Sequence, residues 1–340
     1  MSGPDPAYRA VEVAPSGELQ LTERPLLAPG DGEVRIRVEA CGVCHTDVAS
    51  VHAHPGTEPS VVPGHEVVGL IDAVGPGVHG WAPGDRVGIS VLGGHCGYCG
   101  ACRHGDFLHC VNQFRTGLQA DGGYAEYLTA RSSGLVAIPA GYSPAAAAPL
   151  LCAGLTTYNA IRRAGVRPGA TVAIQGIGGL GHLGVQYARK LGMNTVAIAR
   201  GTDKELFARQ LGADHYVDAR DPRQAVASLQ ALGGADAIVC TASSGASSSA
   251  LAEGLAVNGK LVIVGASPDP VTIATGHLID RGVEVIGSLT GTPAENEENL
   301  AFALREGVSA IIERAPLTEA PAAYARMLAG QARFRIVLQP

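Results

Sequence analysis

The stretch Thr171–Leu191, TVAIQGIGGLGHLGVQYARKL, runs from an apolar strand through a glycine loop into a helix, and no other segment limits the fold as much. Gly176, Gly178 and Gly181 match G-x-G-x-x-G, with Gly179 and Leu180 completing the loop. In a chain with 46 glycines the match means little alone; the strand before it and the helix after it give it meaning. The first glycine turns the chain, the second lets backbone reach an anion, and the third packs helix on strand. The helix N-terminus then offers N–H donors and a favourable dipole to a pyrophosphate. The alternation continues, with strands expected at Thr171–Gln175, Thr195–Ala199, His215–Val217, Ala235–Cys240, Lys260–Val264 and Val283–Leu289. Helices are expected at about His182–Leu191, Asp203–Leu211, Pro222–Leu232 and Ser247–Leu255. Strands alternating with helices of this length predict parallel βαβ units, an α/β doubly wound sheet.

The first half has a different rhythm. Glu33–Val38 alternates as EVRIRV, and apolar runs follow at Glu66–Val74, Asp85–Val91 and Tyr124–Thr129, separated by Gly/Pro turns. Closely spaced strands predict a β-rich domain. Ser143 before Pro144 predicts a helix start. Beyond the α/β region, helices near Ala294–Arg305 and Ala320–Leu328 and a strand Arg335–Leu338 are expected to return to the first domain. With 340 residues, two domains are expected. The predicted division is 1–152 completed by 291–340, and 153–290. Net charge is 25 − 31 = −6, which argues against a nucleic-acid surface. No apolar run reaches the ~18 residues of a membrane span, and MSGPDPAYRA has no signal-peptide pattern. The expected location is the cytoplasm.

Cys96, Cys99, Cys102 and Cys110 form C-x2-C-x2-C-x7-C, in a lobe at about 95–112. Four thiolates at this spacing suit one tetrahedral Zn2+ in a closed structural site. A bacterial ferredoxin shares the start of the pattern, but its fourth cysteine follows after three residues and precedes proline; here Val111 follows. Cysteines two residues apart rarely form good disulfides.

A carboxylate about twenty residues past the glycine loop normally holds the adenosine ribose of NAD. Ala199 stands at that strand end, followed by Arg200 and, one turn on, Lys204, a pair suited to a 2′-phosphate. NADP(H) is the preferred cofactor and NAD(H) the alternative, with Asp203 a possible ribose contact in the second case. Three further metal-type residues stand far apart: Cys44 in CGVCHTD, His65 in PGHEVVG and Cys152 in LLCAGLTTY. Two thiolates and a neutral imidazole would leave a zinc site near neutral, with one position open for Lewis-acid chemistry.

These phrases together resemble the zinc-dependent alcohol dehydrogenases of the medium-chain dehydrogenase/reductase superfamily, over essentially the whole chain. The resemblance implies a GroES-like catalytic domain and a Rossmann domain, and an enzyme that moves hydride reversibly between NAD(P)(H) and an alcohol or its carbonyl. It implies that Cys44, His65 and Cys152 hold a catalytic zinc, with Glu66 and Asp47 as carboxylates behind the ligands and Glu66 able to visit the metal. Thr46 takes the position that relays the substrate proton. His45 and Arg335 take positions on the cofactor pyrophosphate, Thr156 lies near the nicotinamide, and Val264 is counted among the cofactor contacts. Cys41 and Cys240 match no ligand position and are expected as buried thiols.

Two departures from the family pattern matter. Ala49 stands where a histidine often ends the proton relay, and His52 and His54 have the wrong spacing to replace it. Pro55 and Val91 stand near where ethanol-specialised members carry tryptophans, and the single tryptophan, Trp81, lies in a turn. A roomier pocket follows, for medium-chain or aromatic alcohols. The alternatives within the superfamily are a polyol dehydrogenase, disfavoured because such members commonly carry glutamate at the place of Cys152, and a specialised carbonyl or imine reductase. Outside it stands a zinc-ribbon binding module, which would need only the four-cysteine site. A homotetramer or homodimer is expected, with Val283–Leu289 as a plausible edge.

Overall fold

The computed structural model of the chain describes residues 6–53 and 60–340. They divide into two compact units: Met1–Cys152 with Gly291–Leu304 and Ser309–Pro340, and Ala153–Thr290 with Arg305–Val308.

The second unit is built on a six-stranded sheet: Thr171–Gln175, Asn194–Ala199, His215–Asp218, Ala235–Cys240, Leu255–Ile263 and Glu284–Gly287. Counted in chain order they lie 3-2-1-4-5-6, and every neighbouring pair is parallel. Val172, Ala173 and Ile174 are fully buried, which is why TVAIQ reads as a continuous apolar run rather than an alternating one. Strand order reverses beside the first strand, so a crevice opens at its C-terminal end, where Gly176 follows Gln175. The expected helix Ser247–Leu255 is corrected. The helix is Gly245–Ser249, and Leu255 already begins a strand. Its serines explain the early stop: Ser248 and Ser249 hydroxyls donate to the carbonyls of Ser244 and Gly245, and such local bonds compete with helix propagation. Helices Ala153–Ala164 and Thr275–Arg281 are additions to the sequence reading.

In the first unit, Glu33–Gly42 is the centre of a seven-stranded sheet. Val34, Ile36 and Val38 face the core and Arg35 and Arg37 lie outside it, the period-2 pattern of a strand covered on one face. It pairs with Val67–Val74, Tyr127–Arg131 and the C-terminal strand Arg335–Gln339, all antiparallel. The strands Ile312–Pro316 and the hairpin Ala7–Val13/Leu19–Pro25 are additions to the sequence reading. Register slips between Arg35 and Ile36 and between Val38 and Ala40 re-aim the end of the strand. There Gly42 N–H donates to the Glu66 carbonyl and Val43 N–H to the Ile336 carbonyl, so three distant stretches meet. Ser143 caps the helix Pro144–Ala147 through its backbone carbonyl alone, not through its side chain. Among the described residues, no helix is long and apolar enough to cross a membrane.

Candidate active site and metal centres

The four lobe cysteines converge as their spacing predicts, with all four sulfurs within 4.8 Å of one another. Cys110 Sγ lies 3.7 Å from Cys96 Sγ and 3.9 Å from Cys99 Sγ. A tetrahedron with Zn–S bonds of about 2.3 Å has edges of about 3.8 Å, so the set fits zinc. These separations are far longer than a disulfide, and all eight cysteines are free. Burial opposes ionisation of Cys96, but donors from Asn112 and the Tyr98 and Cys99 backbone bring its thiol down to about 6. Burial pushes Cys102 up to about 12. The lobe also walls a cavity of about 490 Å³ lined by His95, Phe107, Ser133 and Glu295, among others; no cysteine ligand lines it.

The second cluster is assembled from separate segments. Cys44 follows the central strand, His65 and Glu66 precede the strand Val67–Val74, and Cys152 ends a 3₁₀ turn at Ala148–Leu151. That turn is fixed from the helix Pro293–Glu306, where buried Asn296 and Asn299 donate to the carbonyls of Leu151 and Leu150. The ligand atoms of Cys44, His65, Glu66 and Cys152 lie within 4.8 Å of one another, and all four residues are buried. His65 Nε2 and Glu66 Oε2 are buried polar atoms without a hydrogen-bond partner. Two thiols, an orphaned imidazole nitrogen and an orphaned carboxylate oxygen around one point form a donor set that fits zinc.

Asp47 opens the helix Asp47–Ala53 and turns back to the cluster. Its Oδ1 lies 3.0 Å from His65 Nδ1, within ion-pair reach though off the line of a hydrogen bond. Its Oδ2 accepts from the Cys44 N–H at 2.9 Å and the Tyr124 hydroxyl at 2.8 Å. The Cys152 thiol, donating to Cys44, holds Cys44 well below the usual thiol range against the cost of burial, with His65 and Arg335 assisting. The same contact and burial push Cys152 well above it. Burial alone would lower His65, but Asp47 and Cys44 outweigh it and hold the imidazole well above its usual value. Burial raises Glu66 to about 7, although the Arg335 guanidinium opposes the shift. A cation entering here would displace the protons of Cys152 and His65, as metal binding at thiol and imidazole ligands does.

The other expected site residues fall in two groups. His45 and Thr46 follow Cys44 in an exposed turn. Arg335 is 4% exposed and its guanidinium forms an ion pair with Glu66. The pairing of its strand with Gly42 and Cys41 places it there, a neighbour invisible across 269 residues of sequence. In the second unit, Gly176 has φ +88°, and a Cβ on Gly181 would come within 1.6 Å of the Gly176 carbonyl oxygen. The loop GIGGLG therefore closes only with glycine at both places. Ala199 ends the second strand, Arg200 is exposed, and Lys204 Nζ donates to the carbonyl of Ile177 inside the loop at 2.9 Å. Val264 N–H donates to the Cys240 carbonyl at the end of the fifth strand, and Thr156 is buried in Ala153–Ala164. Cys41 and Cys240 are buried thiols. Ala49 is exposed, Val91 is half-buried, and Trp81 packs partly buried against the core; His54 and Pro55 lie outside the described residues.

Sequence reasoning missed three parts: the Tyr124 hydroxyl on Asp47, the two asparagines beneath Cys152, and a brace on the loop after Ala199. In that brace Asp218 Oδ1 accepts from Gly201 N–H at 2.8 Å and the Tyr216 hydroxyl donates to the Gly201 carbonyl at 2.7 Å. Only the DGG turn before Tyr124 carries a local signal, and it marks a turn rather than a contact.

Comparison with known proteins agrees with this arrangement. Residues 30–140 match the alcohol dehydrogenase GroES-like domain family and residues 179–328 the zinc-binding dehydrogenase family. Alcohol dehydrogenase notN of Aspergillus sp. (strain MF297-2) is 42% identical over 338 residues, 99% of each chain. Among solved structures, an NAD-dependent alcohol dehydrogenase superposes with TM-score 0.89 at 28% identity, covering 98% of this chain and 99% of the other. CAD from Helicobacter pylori, complexed with NADP(H), superposes with TM-score 0.86 at 27% identity, covering 98% of each. The β-rich unit is thus a GroES-like domain and the parallel sheet a Rossmann domain, with two candidate zinc sites and NAD(P) as the coenzyme class. The chain belongs to the zinc-binding alcohol dehydrogenases of the medium-chain dehydrogenase/reductase superfamily and acts as a zinc-dependent alcohol dehydrogenase.

Proposed function

We propose that this dehydrogenase interconverts medium-chain or aromatic alcohols and their carbonyl compounds, with NADP(H) preferred over NAD(H). Cys44, His65 and Cys152 are the ligands of the catalytic zinc, Glu66 is a fourth ligand during exchange, and Cys96, Cys99, Cys102 and Cys110 hold the structural zinc. When bound, zinc supplies Lewis acidity that lowers the pKa of the substrate hydroxyl, and the nicotinamide supplies the hydride acceptor or donor. The chain's own groups do the rest. Thr46, two residues past Cys44 and exposed, takes the substrate proton, which passes to water because Ala49 offers no base. Asp47 orients His65 across 3.0 Å. The Gly176–Gly181 loop and the helix behind it receive the pyrophosphate, joined by His45, while Thr156 and Val264 bound the nicotinamide half.

The observation that carries the reading is the buried convergence of two thiols, an unpartnered imidazole nitrogen and a carboxylate at one point. The coenzyme preference is supported by Ala199 in place of an acid and by Lys204 docked on the phosphate loop, beside exposed Arg200. The substrate class is supported by Val91 where a narrow pocket would carry tryptophan.

A panel of alcohols and aldehydes assayed with both coenzymes on zinc-replete protein tests all of this. Two zinc ions per chain, lower KM for NADPH, and kcat/KM rising with chain length or an aromatic ring are expected. A tenfold preference for NADH removes the coenzyme assignment, and a strict preference for ethanol removes the substrate class. We also propose a homodimer or homotetramer through the exposed edge strand Glu284–Gly287, where Val285 is 47% exposed. A monomer in sedimentation at micromolar concentration would end that assignment.

A further inference from the structure

Tyr124 is fully buried, and its hydroxyl donates to Asp47 Oδ2 at 2.8 Å. Nothing in the proton path or the ligand set uses it, yet the surrounding backbone is shaped around it. The segment Gly122–Tyr124 runs against Val62–Gly64, immediately before His65. Gly122 N–H donates to Val62 O, Gly123 N–H to Gly64 O and Tyr124 N–H to Pro63 O, at 2.7, 2.9 and 3.0 Å. Asp121 anchors the start of the segment by accepting the Val62 N–H at 3.0 Å. Gly64 sits at φ +99°, and a Cβ there would meet the Tyr124 ring at 2.5 Å. Two loops distant in sequence are therefore locked together, and the lock delivers one phenol to one carboxylate.

We propose that Tyr124 is a positioning residue for the catalytic metal: its hydroxyl, with the Cys44 N–H, fixes the carboxylate plane of Asp47 and thereby the ring of His65. This inference rests on Cys44, His65 and Cys152 being the catalytic zinc ligands. The logic is that of an outer-shell partner, which sets ligand orientation and basicity without touching the metal. Asp47 Oδ2 accepts both donors and leaves Oδ1 turned to His65 Nδ1, so that Nε2 faces the cluster. Burial and the neighbouring Asp47 hold the phenol well above its usual pKa, so it remains a donor throughout the working range.

The experiment uses full-length Tyr124→Phe, which keeps the ring and removes only the hydroxyl. Zinc affinity of each site is measured by competition with a chromophoric chelator, and the visible spectrum of the cobalt-substituted catalytic site is recorded. Expected are about 10-fold weaker metal binding at the catalytic site, a shifted cobalt spectrum, and an unchanged four-cysteine site. In an Asp47→Ala background the same tyrosine change should have little further effect, because its route is gone. Wild-type affinity and spectrum in Tyr124→Phe would overturn the inference, even if its Tm fell. An undiminished effect in the Asp47→Ala background would overturn it as well. Failure of the wild-type protein to bind a second zinc would instead remove the assignment of the ligands.

Discussion

The lobe at Cys96–Cys110 draws four sulfurs from fifteen consecutive residues, while the cluster at Cys44, His65, Glu66 and Cys152 draws its donors from three separated segments of the first unit. In the lobe every donor is a thiol, and Cys96 and Cys99 remain partly open to solvent. In the dispersed cluster all donors are buried, and carboxylates, an arginine and a tyrosine stand behind them. A contiguous site asks little of the fold; it closes a loop and stiffens it. A dispersed site exists only when the sheet, the bulged strand and the Asn296/Asn299 helix are all in place, and it can leave one coordination position free for substrate. The difference teaches that the lobe should affect stability while the cluster should affect chemistry.

The largest expected effect is on the cluster. His65→Ala removes a buried ligand and, with it, the Lewis acid, worth about 4 kcal/mol or roughly 10³-fold in kcat. Zinc content should fall from two ions to one, with Tm nearly held. Loss of both ions, or retention of activity, would break the contrast. Next comes the lobe. Cys99→Ser should cost about 3 kcal/mol of stability, a Tm lower by roughly 5–10 °C. Activity per folded molecule at low temperature should stay within about twofold. Equal losses of activity and stability in this variant would mean that the two sites are not separate in role.

A third comparison sharpens the same point at the coenzyme. Lys204→Ala removes a cation docked on the glycine loop. A charge-assisted hydrogen bond is worth ~1.5–3 kcal/mol, so KM for NADPH should rise by roughly 10-fold or more while KM for NADH changes little. Equal changes for both coenzymes would mean that Lys204 serves only the loop.

Legibility in the sequence follows the same division between contiguous and dispersed. TVAIQGIGGLG, the four-cysteine run and the βαβ alternation announce themselves because their partners are local or periodic. The strand Glu33–Gly42 is legible for the same reason. The phrases around Cys44, His65 and Cys152 gain meaning only from family resemblance, since no spacing rule links them. Arg335 on Glu66, Tyr124 on Asp47 and the asparagines under Cys152 are silent, because each contact depends on strand pairing or helix placement. The short helix Gly245–Ser249 and the early strand start at Leu255 show the complementary failure, where side-chain hydroxyls override an apolar pattern.

The smallest expected effect tests a dispersed support of a contiguous motif. The turn after Ala199 carries Arg200; Asp218 braces it by accepting the Gly201 N–H, with its other oxygen paired to Arg220. Donors from Arg220 and Gly201 hold the Asp218 carboxyl below its usual range, so it stays ionised at neutral pH. Asp218→Asn keeps the size of the side chain but weakens that acceptor by removing its charge. KM for NADPH should rise by about 3- to 5-fold with kcat unchanged, because the turn must then be ordered when the coenzyme binds. In a Lys204→Ala, Asp218→Asn double variant the two increases should multiply if the turn presents Arg200 independently of Lys204. If the second change adds nothing, both residues act through one shared 2′-phosphate contact, and the brace belongs to the charge cluster rather than to the backbone.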